Sequence, residues 1–223
     1  PPPLRKGEKL GFLDKVHRCR ASKDRPDSRI RTDLTPHMSL RQRLRSDLAP
    51  CHDRLDRFFS DIDLATRPGL SLFLRAHRAA FATIRPAPGG RTGQPLLDTM
   101  IAAIDADLRH LGTAPPPRLT SLTLTHADAQ DYVLLGSRLG SQVLRRRWQA
   151  ATDPRVQGAG AYLSLPPLTD RWRAFCDAAG ASPADGTQAD ATLTQSRQLF
   201  ELFLAAGHAA CRDAAPLVSE RTA

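Results

Sequence analysis

Glutamate is nearly missing from this chain. Among 223 residues only Glu8, Glu201 and Glu220 carry it. Carboxylate-bridged di-iron proteins draw inward-facing glutamates and Glu-x-x-His pairs from their helices, so this composition argues against such a centre. Aromatic residues make up 5% of the chain, which leaves Leu, Ala and Val to build most of a core from a hydrophobic content of 41%. The four cysteines, Cys19, Cys51, Cys176 and Cys211, are scattered and never form Cys-x-x-Cys. That spacing suits neither a disulfide framework nor a structural zinc site. They read as reduced thiols, with Cys51 and Cys176 packed. No apolar run approaches the roughly 18 residues that would span a bilayer, and the opening PPPLRKGEKLGFLDK lacks the apolar centre of a signal peptide. A cytoplasmic location is expected, with no membrane partner. There is no His-Glu-x-x-His, Gly-x-Ser-x-Gly or P-loop, which removes zincins, elbow-type hydrolases and P-loop nucleotide enzymes.

The formal net charge is +9, unevenly spread. Residues 1–37 hold ten Lys/Arg against five Asp/Glu, and the remainder 22 against 18. The balance of the main part is therefore mild. It suits docking to an acidic partner or an anionic ligand and is weak support for nucleic acid. Residues 1–37 show no sustained helical period, whereas Met38 directly precedes the amphipathic SLRQRLRSDL. A disordered basic tail is expected over 1–37, either native or derived from upstream or vector sequence, with Met38 as the natural start. A helical domain is expected over 38–215 and a short tail over 216–223.

Within 38–215 the apolar residues recur at helical spacing. Ser39 is placed to cap a helix carrying Leu40, Leu44 and Leu48, kinked or restarted at Pro50 and continuing through Phe59. A second helix from Pro68 to about Ile84 has Leu72, Phe73, Ala76, Ala80 and Phe81 inward. A third spans Leu96–Leu111 and stops at Gly112. Thr125 or Asp128 opens a fourth that runs to about Trp148. Thr169 caps another, through Cys176 or Ala179, and Thr187 or Asp190 opens the last, to about Cys211. LTSLTLTH (119–126) is the only strand candidate. The expected class is all-α, a single domain of about seven or eight helices.

The fourth helix, DYVLLGSRLGSQVLRRR (131–147), is unusual in carrying Gly136 and Gly140. Each glycine in a helix interior costs about 0.8–1 kcal/mol relative to alanine. Four residues apart, the two lie on one face. A face without side chains admits close approach of either another helix or a flat ligand. Gly136-Ser-Arg-Leu-Gly140 is not a dinucleotide fingerprint, since no strand precedes it and the third glycine is missing. Seven histidines are scattered through the chain without metal-cluster spacing. A single imidazole then points to haem more than to a bare metal. His52 is the best placed, in a helix with Asp56 one turn on and Arg45 two turns back. The alternative for His52 is an ordinary histidine on a polar helix face.

Taken together, LRQRLRSDLAPCHDRLDRFF (40–59), LSLFLRAHRAAF (70–81), DYVLLGSRLGSQVLRRR (131–147) and LTDRWRAFCDA (168–178) resemble the haem oxygenase family, most closely the bacterial type associated with bacteriophytochromes. The resemblance extends over about residues 38–213. It implies a haem-oxygenase-like fold with haem between a proximal and a distal helix. The implied reaction is cleavage of haem to biliverdin, carbon monoxide and ferrous iron, with dioxygen as co-substrate and electrons from ferredoxin or another reductant. A bacteriophytochrome receiving the biliverdin is an implied partner. His52 would be the proximal iron ligand. Gly136 and Gly140 would let the distal helix lie close over haem and leave room for dioxygen, with Ser137 beside it. Arg45 would pair with a haem propionate, and Tyr132 and Arg197 are further propionate candidates. Two positions depart from the pattern: Leu135 stands for the usual glutamate of the subtype and Ser141 for the second glycine of a Gly-Gly pair, which adds a side chain where haem would lie. A haem or bilin carrier on the same fold, and a helical interaction domain in which the glycines only pack, are the competing expectations.

Overall fold

The computed structural model describes residues 38–214. The expected tails at 1–37 and 216–223 lie outside the described residues. The elements in order are α1 (Leu40–Ser60), α2 (Arg67–Thr83), β1 (Ile84–Arg85), α3 (Gln94–Leu111), β2 (Leu122–Thr123), α4 (Ala127–Trp148), α5 (Pro154–Gln157), α6 (Thr169–Ala181) and α7 (Thr187–Ala214). Seven helices over the described residues agree with the all-α expectation. The candidate strand at 119–126 shrinks to the two residues of β2, which pair in parallel with β1. Among the described residues no helix is long and apolar enough to cross a membrane.

Local chemistry sets most of the boundaries. Ser39 forms a capping box with Gln42: its hydroxyl accepts from the Gln42 amide, and the Gln42 side chain accepts from the Ser39 amide. Thr66 caps α2, with Pro68 in the first turn where a missing N–H costs nothing. Gly112, at φ 60°, closes α3 in the left-handed conformation that glycine adopts without a Cβ clash. Three expectations need correction. α1 is one continuous helix through Pro50 rather than two pieces; Ser46 and Pro50 are both exposed, so the carbonyl deprived of its donor is solvated, and both halves of the helix bury one stripe. α4 starts at Ala127 behind His126, so neither Thr125 nor Asp128 is its cap. α6 begins at Thr169 behind Leu168, a left-handed non-glycine residue (φ 55°) that turns the chain sharply out of Pro166-Pro167; Thr169 is inside the helix and does not cap it.

The long helix α7 is the spine. α1, α2 and α4 all pack on it, and α3 packs behind α2. α1 and α4 both pack also on α6 yet touch each other scarcely at all. The core confirms the aliphatic economy expected from composition, with Leu44, Leu48, Leu70, Leu74, Leu134 and Leu199 fully buried. Cys176 is buried as expected, and Cys51 is partly buried.

Two buried polar clamps hold loops against this frame. Asp131, fully buried near the start of α4, accepts from the Arg91 and Thr92 amides at 2.8 Å each and from the Thr92 hydroxyl at 2.7 Å. Its neighbour Gln130 accepts from the Ala87 amide and donates to the Thr92 hydroxyl. Asp107 of α3 accepts from the Ala161 and Tyr162 amides at 2.8 and 2.9 Å; burial holds its carboxyl above the usual range. A buried donor left without its acceptor costs about 1–3 kcal/mol. Asp131→Ala should therefore destabilise the fold by at least about 2 kcal/mol, measured by urea denaturation, with faster amide exchange at Arg91 and Thr92.

Candidate functional site

Where α1 and α4 fail to meet, a cavity opens. It holds about 950 Å³ of empty space, counted with its solvent-open mouth. His52, Leu55, Asp56, Phe59 and Ser60 of α1 form one wall. Tyr132, Val133, Gly136, Ser137, Gly140 and Ser141 of α4, with Leu144 beyond them, form the facing one. Phe73 and His77 of α2, Tyr162, Trp172 of α6, and Phe200 and Phe203 of α7 close the rest. The cavity is mostly apolar and carries few polar groups.

His52 is buried, and its Nδ1 lies 3.2 Å from Asp56 Oδ2 one turn on. The ring sits edge-on to Phe200, centroids 5.7 Å apart. A carboxylate beside one imidazole nitrogen can orient the ring and leave the other free to ligate. Ligation through Nε2 would leave the Asp56 pairing in place.

The question posed by the glycines receives an answer at Gly136. A Cβ built there would meet only Trp172 Cζ3, at an ordinary 3.8 Å. Gly207 of α7 is the contrast: a Cβ there would lie 2.3 Å from Phe58 Cε1, as close helix packing demands. Gly136 is therefore not required by a neighbouring helix. Ser141 does line the cavity, but its hydroxyl turns back to donate to the Arg138 carbonyl at 2.7 Å. Ser137 likewise donates to the Leu134 carbonyl at 2.8 Å. Leu135 is fully buried and is not among the cavity-lining residues.

The propionate candidates separate. Tyr132 lines the cavity, and its hydroxyl is pushed up to about 12, chiefly by burial, with the nearby Cys176 adding to the rise and the charge of Arg45 opposing it. Arg45 is exposed and outside the cavity lining, close enough to act on Tyr132 through space. Arg197 is exposed on α7 and also outside the lining.

His77 is a cavity residue that the sequence reading passed over. Its position one turn after Phe73, beside the inward Ala76 and Ala80, was the available signal. Its Nδ1 lies 2.9 Å from the Phe73 carbonyl, so Nδ1–H donates and the lone pair resides on Nε2. Phe73, Phe81, Phe59, Phe203 and Tyr162 surround it. Burial pushes its pKa down to about 4, opposed by the Phe73 carbonyl, with the charge of Arg138 adding to the depression. Tyr162 is fully buried, with burial holding its hydroxyl above the usual range, and the Arg138 guanidinium lies 5.1 Å from its ring centroid.

The cavity thus sets one imidazole with a neighbouring carboxylate against mostly apolar walls and a wall that carries Gly136 and Gly140. Among the described residues no group of three or more His, Cys, Asp or Glu is arranged to hold a bare metal ion. No protein-family model, no curated protein and no solved structure matches this chain.

Two predictions follow from the cavity's geometry. Gly136→Ala should leave the unliganded protein as stable or more so, by up to about 1 kcal/mol, since it gains helix propensity without a clash. Gly207→Ala should cost about 1–3 kcal/mol through overpacking. Thermal unfolding of both variants distinguishes the signs. Separately, the unfolded chain takes up a proton on His77 near pH 6.5 and the folded chain only near 4. Stability is thus fully present above pH 6.5 and falls as pH drops from 6.5 towards 4, by as much as about 3 kcal/mol for this group. His77→Gln should flatten that part of the stability–pH curve, measured by denaturant titration across the range.

Proposed function

We propose that the chain binds haem in the cavity between α1 and α4 and degrades it as a haem oxygenase. The observation that carries this is the pairing across one gap of His52, backed by Asp56 at 3.2 Å, with an α4 face whose Gly136 is not consumed by helix packing. The sequence resemblance supports it independently, since it assigns the same two segments to the two sides of haem.

In this scheme His52 holds the iron, and Asp56 keeps the ring in the orientation and tautomer that ligation requires. Gly136 and Gly140 keep side chains off the opposite side, so a small molecule can reach the metal. Phe200, Phe203 and Trp172 would exclude water from a ring held here. Tyr132 keeps its proton throughout the physiological range and can donate to an anionic group at the mouth, where Arg45 adds positive charge. Ser137, on the α4 wall, has a hydroxyl oxygen that could still accept from a molecule bound in the cavity while its proton goes to Leu134. Bound haem would itself supply the iron that takes up dioxygen and the ring that is opened to biliverdin, with release of carbon monoxide and ferrous iron. Electrons would come from ferredoxin or another reductant, and the mildly basic surface suits an acidic donor. A bacteriophytochrome taking the product is part of the same proposal.

Ser141 supports a second reading, a haem or bilin carrier on the same scaffold, because a side chain occupies cavity wall where the resembled family has glycine. One experiment separates them. The purified protein with haem should develop a Soret band, and His52→Ala should abolish or strongly shift it. Under air with ascorbate, or with ferredoxin and its reductase, the band should give way to a biliverdin spectrum. Haem that persists under every reductant identifies the carrier, and no Soret band in the wild type defeats both.

A further inference from the structure

A second cleft lies on another side of α4, and its charge is unaccounted for by the haem proposal. It holds about 580 Å³ of empty space, counted with its open mouth, between the start of α3 and the turn into α6, with Pro95, Leu96, Leu165, Pro166 and Leu168 as apolar walls. Arg138 and Arg171 both contribute to it. Arg138 is fully buried. Its Nη2 donates to the Leu165 carbonyl at 2.6 Å and its Nη1 to the Tyr162 carbonyl at 3.5 Å. Among the described residues no carboxylate forms an ion pair with it. A guanidinium stays charged at any working pH, and burying an unpaired charge is costly. Carbonyl dipoles solvate it without cancelling its charge. Its field reaches into the main cavity, where it opposes protonation of His77.

Arg171 stands exposed at the other side of the cleft, with one donor on the Arg91 carbonyl at 3.3 Å. It too has no carboxylate partner among the described residues. α6 begins beside the cleft with no side-chain cap, behind the left-handed Leu168, and the Asp170 carboxylate in its first turn pairs with Arg173 at 3.0 Å. Helix N-terminal amides favour an anion by the same sign of charge. The cleft therefore joins a buried positive field, a reachable guanidinium and uncapped amides to walls that are otherwise apolar.

We infer that this cleft binds a small organic carboxylate, its anionic end toward Arg171 and the start of α6 and its apolar body against Leu96, Leu165 and Leu168. The apolar walls select a carboxylate with a hydrocarbon body over inorganic phosphate, whose further oxygens would find too few donors. A clamping role alone accounts for Arg138's two carbonyl contacts, but a neutral donor could make them; the charge is what an anion uses. Because Arg171 is outside the haem cavity lining, the site stands or falls independently of the haem proposal.

The test is titration of the full chain with benzoate, benzamide and inorganic phosphate, followed by amide NMR and calorimetry. Benzoate should saturate one site and shift the amides of Thr169 and Asp170. Benzamide, the same shape without charge, and phosphate should bind at least tenfold more weakly. Arg171→Gln, an exposed change whose fold is read from the same spectra, should weaken benzoate at least about tenfold. The inference is overturned by absence of saturable benzoate binding, by equal binding of benzamide or phosphate, or by Arg171→Gln binding benzoate as the wild type does.

Discussion

Everything in this molecule depends on keeping α1 and α4 apart. Protein interiors close-pack, and a void between apolar walls forfeits contacts on both sides. Two helices with apolar faces would ordinarily collapse together. Here each is braced on the same two neighbours, α6 and α7, and the brace is tight: Phe58 of α1 lies against Gly207 of α7 with no room for a methyl group. Arg43 adds a polar tie from α1 to the start of α7, through the Ala184 carbonyl and Asp190 at 2.5 and 2.6 Å. Arg54 pairs with Glu201 further along the same seam. With both walls fixed from behind, the side-chain-poor face of α4 looks onto space instead of onto α1.

The cost of that arrangement falls on buried polar groups at the other side of α4. From Ala129 to Gly136 the helix is buried all round, so its polar residues must find partners inside. Asp131 and Gln130 do so by capturing the amides of the 87–92 loop, and Arg138 by capturing the carbonyls of the 162–165 segment. Asp107 holds that same segment from α3. Tyr162 is thereby held between an arginine and a histidine.

The helices were legible because their signals are local. Capping by Ser39, the left-handed Gly112 and the 3.6-residue stripe of α2 involve residues within a turn or two of each other. At Pro50 a kink and a restart could not be told apart, because the sequence records a missing donor but not whether the orphaned carbonyl reaches water; the helix runs on without a restart. Thr169 misled because its capping chemistry was overridden by Pro166-Pro167 and Leu168, which set the entry angle. At the site, His52, Tyr132, Gly136, Ser137, Gly140 and Ser141 do meet around one cavity, while Arg45 and Arg197 stay outside its lining. His77 and Arg138 went unnoticed for a physical reason: each looks like a surface residue by type, and only the tertiary neighbours, five aromatic rings in one case and two backbone carbonyls in the other, turn it into a buried one.

The two imidazoles of the cavity sit in different surroundings. His77 has a carbonyl on one nitrogen, aromatic rings around it and a cation nearby, so it stays neutral and weakly basic down to about pH 4. His52 has a carboxylate 3.2 Å from its Nδ1, the kind of neighbour that orients a ligating imidazole. A metal ligand benefits from the second environment and is weakened by the first. The same fold that buries both histidines therefore distinguishes them, with the Asp56 carboxylate beside one ring and the Arg138 charge acting on the other. If iron is held here, it is held from the α1 side, and the α2 side contributes a neutral acceptor whose proton affinity any change in the charge around Arg138 would alter.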